Sequence, residues 1–334
     1  MTPWPFGSGG KPALDVYGVD YDAIETAFDE EFAEPPSGRK NTVALLVVYD
    51  NYLIAERYQD SIDAFAPLKG YSMSKSLING VMGVLQQQDI MDISDTTGLA
   101  EWQNDSRANI TIEQLMRMES GLQYTERAMG NDNDQGRLLY GDQAPTDYAI
   151  ARAAERDPST GFNYSSGDNV ILARAIQNKL GGSPQAAYDL YKTEFFDRID
   201  AVTALVEHDV NGTFLSAESV FLSARDWARF IQLYMNNGEW NGEQILTEEW
   251  VSQSLIPSKF DERYAANIWV NTNQEAFPGL PEDTIAFYGA MERFVLAIPS
   301  RKAIVVRMGY SHNRESVNIS EFAAKILEAL PLPQ

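Results

Sequence analysis

The feature that most constrains the fold is the distribution of strand and helix patterns along the chain. Near the N-terminus, the β-branched segments Thr42 to Val48 and Tyr52 to Arg57 flank an Asp-Asn turn and predict an antiparallel hairpin. Near the C-terminus, Phe294 to Ile298 and Ala303 to Met308 flank a Pro-Ser-Arg-Lys turn and predict another strand pair. We therefore expect one antiparallel sheet assembled from both ends of the chain.

Between these hairpins the sequence is typical of helices and loops. Apolar residues recur at helical spacing in Ser72 to Gln88, from Thr111 to Ser120-Gly121, from Val170 to Gly181-Gly182, and in Arg225 to Asn236, and a last helix is predicted over about Ser320 to Leu330. The prediction is an α+β fold forming one two-lobed unit. Residues 1–89 and 256–334 would form an α/β lobe with helices flanking the sheet, and residues 90–255 a mainly helical lobe. A cleft between lobes is a common position for a small-molecule site.

Composition and charge narrow the classes of partner. The 334 residues are 44% hydrophobic, which is enough for a substantial core, and the net charge is −22. Such an acidic protein repels nucleic acid and anionic membranes, and no apolar run reaches the about 20 residues of a membrane span. We expect a soluble protein, cytoplasmic or periplasmic. Residues 1–11 lack the features of a signal peptide, but a removed signal would leave no trace, so the compartment and the oligomeric state stay open.

The chain contains no cysteine and only two histidines, His208 and His312. Disulfides and thiolate catalysis are therefore excluded, and the wide separation of the histidines argues against a histidine-rich metal site. No metal or cofactor is predicted. Two histidines also leave few ways to build a Ser-His-Asp triad, so a catalytic base in this chain would be a different residue.

Ser72-Met73-Ser74-Lys75 fits the pattern Ser-x-x-Lys at the start of an apolar helix. Residues three apart share one face of a helix, so Lys75 can reach the Ser72 hydroxyl, and burial would lower the pKa of the lysine toward that of a useful base. The pattern also occurs at Ser8 to Lys11 and at Ser37 to Lys40, both in Gly- and Pro-rich coil. Taken alone, it fits a helix cap beside an exposed lysine equally well.

Tyr164-Ser165-Ser166 follows a loop and precedes the Val170 helix. A tyrosine beside a lysine in a cleft can relay a proton to a leaving group. Tyr-x-Ser/Asn is a weak pattern, because Tyr49 to Asn51 and Tyr234 to Asn236 also match it. The structural alternative for Tyr164 is a half-buried loop tyrosine.

Several stretches taken together resemble serine hydrolases related to class C β-lactamases and penicillin-binding proteins. The nearest branch is formed by the 6-aminohexanoate-dimer (nylon oligomer) hydrolases and β-lactamase-like esterases. The resemblance extends over roughly residues 40 to 330. The matching stretches, which occur in the family's order, are Ser72 to Ser76 with its helix, Leu115 to Leu122, Tyr164 to Gly167, Ala224 to Phe230 and Val295 to Gly309.

This resemblance implies a β-lactamase/transpeptidase-like fold and a set of roles. Ser72 would be acylated, Lys75 would be its base and Tyr164 would relay a proton. The backbone N–H groups of Ser72 and Ala290 would form the oxyanion hole. Ser166 would orient Lys75 or Tyr164.

The resemblance also indicates residues that bind substrate, and it breaks down at one of them. Tyr124 resembles a substrate-contacting tyrosine of the nylon oligomer hydrolases, although an ordinary loop aromatic is an equal alternative. The family's Lys-Thr-Gly or His-x-Gly element is replaced by Phe287-Tyr288-Gly289, which removes a cationic group from the predicted pocket wall. Glu292-Arg293 replaces a Gly-Gln that often follows, and negative charge from Glu292 would disfavour anionic substrates if it faced the cleft.

These observations predict a hydrolase of small carboxylic esters or amides, such as 6-aminohexanoate oligomers. A β-lactamase or D-alanyl-D-alanine peptidase is the first alternative, and the missing cation at Phe287 argues against it. A catalytically inactive homologue that binds a ligand is the second, and the presence of Ser72, Lys75 and Tyr164 argues against it. Because Lys75 must be neutral or Tyr164 ionised, activity is expected to rise from neutral toward alkaline pH.

Overall fold

The computed structural model describes residues 4–5, 15–36, 39–126, 133–141, 144–312 and 316–332. The Ser-x-x-Lys copy at Ser8 to Lys11, and the serine of the copy that begins at Ser37, lie outside the described residues. The helices are α1 (Tyr21–Phe32), α2 (Ser76–Gln87), α3 (Ile112–Met116), α4 (Asp134–Gly136), α5 (Pro145–Ile150), α6 (Ser166–Lys179), α7 (Pro184–Tyr191), α8 (Ala224–Met235), α9 (Glu248–Ser254) and α10 (Ile319–Glu328). The strands are β1 (Thr42–Tyr49), β2 (Tyr52–Tyr58), β3 (Leu68–Lys69), β4 (Leu205–Val206), β5 (Val220–Leu222), β6 (Glu239–Trp240), β7 (Glu243–Gln244), β8 (Trp269–Val270), β9 (Ile285–Gly289), β10 (Arg293–Ile298) and β11 (Ala303–Gly309).

The main sheet joins the two ends of the chain. Its six strands run in the order β2-β1-β11-β10-β9-β8, and every neighbouring pair is antiparallel. The N-terminal and C-terminal hairpins meet between β1 and β11, where Leu46 lies opposite Val306. The predicted α+β fold with an antiparallel sheet from both termini is confirmed. The assignment of lobe boundaries at residues 89 and 255 stays a prediction.

Each face of this sheet is covered by helices. Alternate residues of β1 point to opposite sides, so Leu46 and Val48 pack in the core that contains α2 and α8, whereas Leu45 and Val47 pack in the core under α1 and α10. Helix α1 was not predicted from the sequence. Its buried apolar residues, Ile24, Ala27 and Phe28, form too narrow a stripe for a clear helical period.

Two helices near the cleft differ from their predicted limits. The segment that starts with Ser72 opens as a 3-10 turn, Tyr71–Lys75, before α2 begins at Ser76. The helix after Thr111 ends at Met116 rather than at Ser120-Gly121, because Met118 has a positive φ of 61°. The middle of the chain also contains β5, which pairs with β3 and β4 in a small sheet that the sequence did not reveal. Within the described ranges, no helix is both long and apolar enough to cross a membrane.

Candidate active site

The serine of the Ser-x-x-Lys motif lies where the sheet meets the helices. Ser72 belongs to the 3-10 turn before α2, and β9 passes directly beside it. Gly289 permits this approach, because a Cβ atom there would collide with the Gly70 carbonyl oxygen and lie 3.2 Å from the Ser72 nitrogen. The preceding residue, Tyr71, has a φ of 47°, a left-handed conformation that non-glycine residues rarely adopt. The Ser72 backbone N–H is therefore held against the end of β9, which Ala290 follows in the sequence.

Lys75 is in direct contact with Ser72. The lysine side chain is 1% exposed, and its Nζ donates hydrogen bonds to Ser72 Oγ at 3.1 Å, to Ser166 Oγ at 2.8 Å and to the Ala217 carbonyl oxygen at 3.1 Å. Three acceptors match the three N–H groups of an ammonium. The alternative interpretation of the motif, a helix cap beside an exposed lysine, does not fit a lysine in this position.

Ser166 is held by a carboxylate that the sequence analysis did not single out. It is the first residue of α6, which is capped by Ser165. Glu126 accepts the Ser166 backbone N–H at Oε2 and the Ser166 hydroxyl at Oε1, both at 2.8 Å. The same Oε1 atom lies 4.0 Å from Lys75 Nζ. One carboxylate thus contacts Ser166 twice and faces the lysine without touching it.

Tyr164 closes the other side of the lysine. Lys75 Nζ lies 5.0 Å from the centre of the Tyr164 ring, and this ring packs edge-on against Tyr264 and at a tilt against Trp269. Burial raises the pKa of Tyr164, and the charge of Lys75 and a hydrogen bond with Ser72 offset this only in part. The tyrosine is therefore a neutral phenol at neutral pH. Ser72, Lys75, Tyr164 and Ser166, proposed separately from the sequence, converge on one centre.

The charge state of Lys75 differs from the sequence-based expectation. Burial lowers the pKa of Lys75 as expected, but the interactions of the lysine with Tyr164, Glu126 and Glu218 raise it by more. The net pKa therefore lies above the ordinary value for lysine. The expectation that burial would lower the pKa of Lys75 toward that of a useful base is wrong in direction, because the surrounding acids were not predicted from the sequence.

Glu218 is a second carboxylate in the centre. It is 4% exposed, its Oε1 lies 3.5 Å from Ser166 Oγ and accepts a hydrogen bond from Gln135, and its Oε2 has no hydrogen-bond partner. Burial raises the pKa of Glu218 to about 7, and the charge of Lys75 opposes this rise. The predicted substrate residue Tyr124 is buried nearby, where its hydroxyl donates to Gln135 and its ring covers Gly167. A role for Tyr124 in substrate binding stays a prediction.

Two predicted pocket residues of β9 do not face the serine. Phe287 is fully buried and packs against Phe230 of α8, with ring centres 4.6 Å apart. Tyr288 points to the opposite face of the sheet, packs on Trp269 and donates its hydroxyl to Glu292. The prediction that both line the cleft is corrected: successive side chains of a strand point to opposite faces, and on the inner face only Gly289 reaches the Ser72 turn.

The two residues that replace the family's Gly-Gln have separate environments. Glu292 is 3% exposed and lies with Tyr288 on the outer side of β9, so its charge does not face the cleft. Arg293 lies opposite Gly289 in the β9–β10 pair. Its guanidinium is buried between the rings of Tyr71 and Tyr310, at 4.6 and 4.1 Å from their centres.

The main omission of the sequence analysis is the pair Glu126 and Glu218. They come from two separate loops, one after α3 and one before β5, with neither helical nor strand periodicity. Glu126 follows two residues after Tyr124, and that proximity to a suspected site residue was the one signal in the sequence. Among the described residues, no three His, Cys, Asp or Glu side chains are grouped to hold a metal ion.

The antiparallel sheet with its inner and outer helices defines the β-lactamase/transpeptidase-like class of proteins. A profile of the beta-lactamase family matches residues 22–308, and the chain belongs to this family. The 6-aminohexanoate-dimer hydrolase of Paenarthrobacter ureafaciens is 25% identical over 229 residues, which are 64% of this chain. These residues span only 57% of that relative's length.

Solved structures share the fold at low identity. A family VIII carboxylesterase has a TM-score of 0.70 at 12% identity, with 96% of this chain and 98% of that one covered. D-alanine carboxypeptidase AmpC from Burkholderia cenocepacia has a TM-score of 0.67 at 14% identity, with 93% and 99% covered. The resemblance stated from the sequence is confirmed at the level of family and fold. The family is one of hydrolases, and the proteins similar to this chain include an esterase, an amide hydrolase and a carboxypeptidase.

Proposed function

We propose that this protein is a serine hydrolase that forms an acyl-enzyme on Ser72 and cleaves small carboxylic esters or amides, such as linear 6-aminohexanoate oligomers. The contact between Lys75 Nζ and Ser72 Oγ at 3.1 Å carries this proposal. A serine hydroxyl within hydrogen-bonding distance of a buried lysine places a nucleophile beside its base, which is the arrangement that acyl transfer requires. The esterase and amide hydrolase relatives support the same class of substrate.

The proposed reaction has two halves. Neutral Lys75 accepts the Ser72 proton while Ser72 Oγ attacks the acyl carbon, and the Ser72 and Ala290 N–H groups stabilise the oxyanion. Each such donor lowers the barrier by about 3 kcal/mol. The Tyr164 hydroxyl passes a proton to the leaving alcohol or amine, and Lys75 reprotonates it. Water then attacks the acyl-enzyme and releases the acid and free Ser72.

The charges around Ser72 support neutral or cationic substrates over anionic ones. Glu126 and Glu218 surround Ser166, on the Lys75 side of the nucleophile. At the other side, the position of the family's cationic residue is taken by Phe287, which is buried in the core. A β-lactam carries a carboxylate that such a site repels, whereas the ammonium end of an aminohexanoate oligomer is attracted to it.

The test is a side-by-side hydrolysis assay of wild type, Ser72→Ala and the control Ser106→Ala, which changes an exposed serine. The substrates are a short-chain p-nitrophenyl ester, the 6-aminohexanoate linear dimer and a chromogenic cephalosporin. We expect turnover of the ester or the dimer in wild type and Ser106→Ala, loss of this turnover in Ser72→Ala, and little turnover of the cephalosporin.

Other outcomes identify the alternatives. Efficient Ser72-dependent turnover of the cephalosporin alone would show a β-lactamase or D-alanyl-D-alanine peptidase. Full activity in Ser72→Ala would refute the acyl-enzyme. Absence of turnover, together with failure of a serine-directed acylating probe to label Ser72, would indicate a homologue that only binds its ligand.

A further inference from the structure

The hydrogen bonds of Lys75 restrict where its lone pair can point. The Ala217 carbonyl oxygen can only accept, so one N–H of Lys75 must be directed to it at 3.1 Å. Ser72 Oγ, at 3.1 Å, can either accept from an ammonium or donate to a neutral amine. The direction of the remaining contact, with Ser166 Oγ at 2.8 Å, decides which of these occurs when Lys75 is neutral.

Glu126 decides the direction of that contact. A serine hydroxyl has a single proton, and Glu126 Oε1 at 2.8 Å is a much closer acceptor for the Ser166 proton than Glu218 Oε1 at 3.5 Å. The other carboxylate oxygen is held by the Ser166 backbone N–H, also at 2.8 Å, so the carboxylate cannot rotate away without losing both bonds. Ser166 Oγ therefore presents only a lone pair to Lys75, and Lys75 must donate to it.

A neutral Lys75 then has one arrangement left. Its two N–H groups bind Ala217 and Ser166, and its lone pair points at Ser72 Oγ, where the proton has to be accepted. If the Ser166 proton were free, it could instead bind the lone pair of Lys75 and leave an N–H facing Ser72. That second arrangement cannot activate the nucleophile.

We propose that Glu126 is a positioning residue that fixes the proton on Ser166 and thereby directs the lone pair of neutral Lys75 to Ser72. The inference rests on the proposed function, since it concerns the base in the same reaction. This orienting effect of Glu126 depends on the Ser166 hydroxyl and is separate from the effect of the Glu126 charge.

The charge effect has the opposite sign. The groups that face Lys75 are Tyr164 from the loop before α6, Glu126 from the loop after α3, and Glu218 from the loop before β5. Both carboxylates stabilise the ammonium, so removing either charge makes the neutral amine easier to form. Orientation and charge can therefore be separated by comparing the two glutamates in the presence and absence of Ser166.

The experiment is a pair of double-mutant cycles in the full-length protein, read as Ser72-dependent kcat on a p-nitrophenyl ester at pH 9. One cycle combines Glu126→Gln with Ser166→Ala, and the matched cycle combines Glu218→Gln with Ser166→Ala. In the Ser166→Ala background, Glu126→Gln exerts only its charge effect. We expect the change in kcat caused by Glu126→Gln to differ at least tenfold between the wild-type and Ser166→Ala backgrounds. For Glu218→Gln, we expect the corresponding difference to be less than threefold.

Glu126→Asp adds a test at constant charge. The shorter side chain keeps the carboxylate but withdraws it from Ser166, so we expect at least a tenfold loss of kcat with an unchanged position of the pH profile. Thermal unfolding and titration of Ser72 with an acylating probe correct every variant for misfolded protein. Equal effects of Glu126→Gln in both backgrounds, or full activity of Glu126→Asp, would overturn the inference while leaving the proposed function intact. Turnover that survives Ser72→Ala would overturn both.

Discussion

Two of the buried cations, Arg307 and Lys75, lie on opposite faces of the main sheet and have different partners. Arg307, on the outer face, is bound directly by Glu31 at 2.6 Å and makes further hydrogen bonds to Thr42, Ser311 and backbone carbonyls. Lys75, on the inner face, donates to two hydroxyls and one carbonyl, and its nearest carboxylate stays 4.0 Å away. One cation has a direct ionic partner and the other does not.

The difference follows from what each charge has to do. A buried charge that only supports the fold is most stable when a carboxylate contacts it and all its donors are satisfied. A buried base must be able to lose its proton, and a carboxylate in contact would hold that proton too firmly. Because Ser166 lies between Lys75 and Glu126, the negative charge of Glu126 does not contact the lysine directly. We therefore expect changes at Lys75 to affect turnover and changes at Arg307 to affect folding.

The largest expected effect is on turnover. Lys75→Met removes the proposed base while keeping an unbranched side chain of similar volume, so we expect kcat/KM to fall by about 10² to 10⁴-fold. The thermal unfolding temperature should fall slightly, because the raised pKa of Lys75 means that its acidic neighbours stabilise the lysine charge in the folded state. The control is Lys302→Met, at an exposed lysine. A variant that keeps its activity, or loses it only by unfolding, would break the comparison.

The second expected effect is on stability. Arg307→Met removes the fully buried cation from Glu31, which then keeps only Lys40 at 3.3 Å as an ionic partner. Breaking a buried pair in this way lowers the free energy of unfolding by about 3–5 kcal/mol. Arg198→Met, which removes a surface pair with Glu243, should change it by less than about 1 kcal/mol. Urea unfolding measures both. The kcat per folded molecule of Arg307→Met should stay close to wild type, and a selective loss of kcat would contradict a purely structural role.

The strands of the sheet could be predicted from the sequence, whereas the surroundings of Lys75 could be predicted only in part. The sheet could be predicted because its strands carry alternating or continuous apolar patterns. Ser72 and Lys75 could be predicted because residues three apart share one face of a helical turn and because several stretches of the chain resemble one family. Glu126 and Glu218 could not, since their position beside Lys75 depends on how two loops fold over α6. Phe287 was misplaced for a different reason. The Phe287-Tyr288-Gly289 element was identified by resemblance, but which of its side chains faces the cleft is set by the packing of Gly289 against the Ser72 turn.

The third prediction concerns pH. The pKa of Lys75 is raised by its acidic neighbours and that of Tyr164 is raised by burial, whereas Arg307 stays charged throughout the working range. Of these two cations, only Lys75 therefore has a neutral fraction that grows with pH during the assay. If the neutral lysine is the reactive form, kcat/KM should rise about tenfold per pH unit from pH 7 to 9, measured with a p-nitrophenyl ester and corrected for spontaneous hydrolysis. A flat profile between pH 6 and 9 would contradict Lys75 as the base.

The smallest expected effect extends the comparison to a buried acid. Asp168, in the first turn of α6, is 1% exposed, and its Oδ2 has no hydrogen-bond partner. Burial raises the pKa of Asp168 to about 7, although hydrogen bonds from Ser120 and Ser165 lower it in part. Because this folded-state pKa lies above the ordinary value for aspartate, the stabilising contribution of the protonated form is complete below about pH 4. It is lost as the pH rises through about 7.

Asp168→Asn keeps the size of the side chain and an oxygen for Ser165 but cannot ionise. The unfolding temperature of the variant minus that of wild type should therefore increase by a few degrees from pH 5 to pH 8, as measured by circular dichroism. Glu218, whose pKa is also about 7, titrates in both proteins and cancels from the difference. A difference that is independent of pH would show that Asp168 is already ionised at pH 5. In that case the Ser120 and Ser165 hydroxyls would stabilise a buried charge here as neutral hydroxyls do for Lys75.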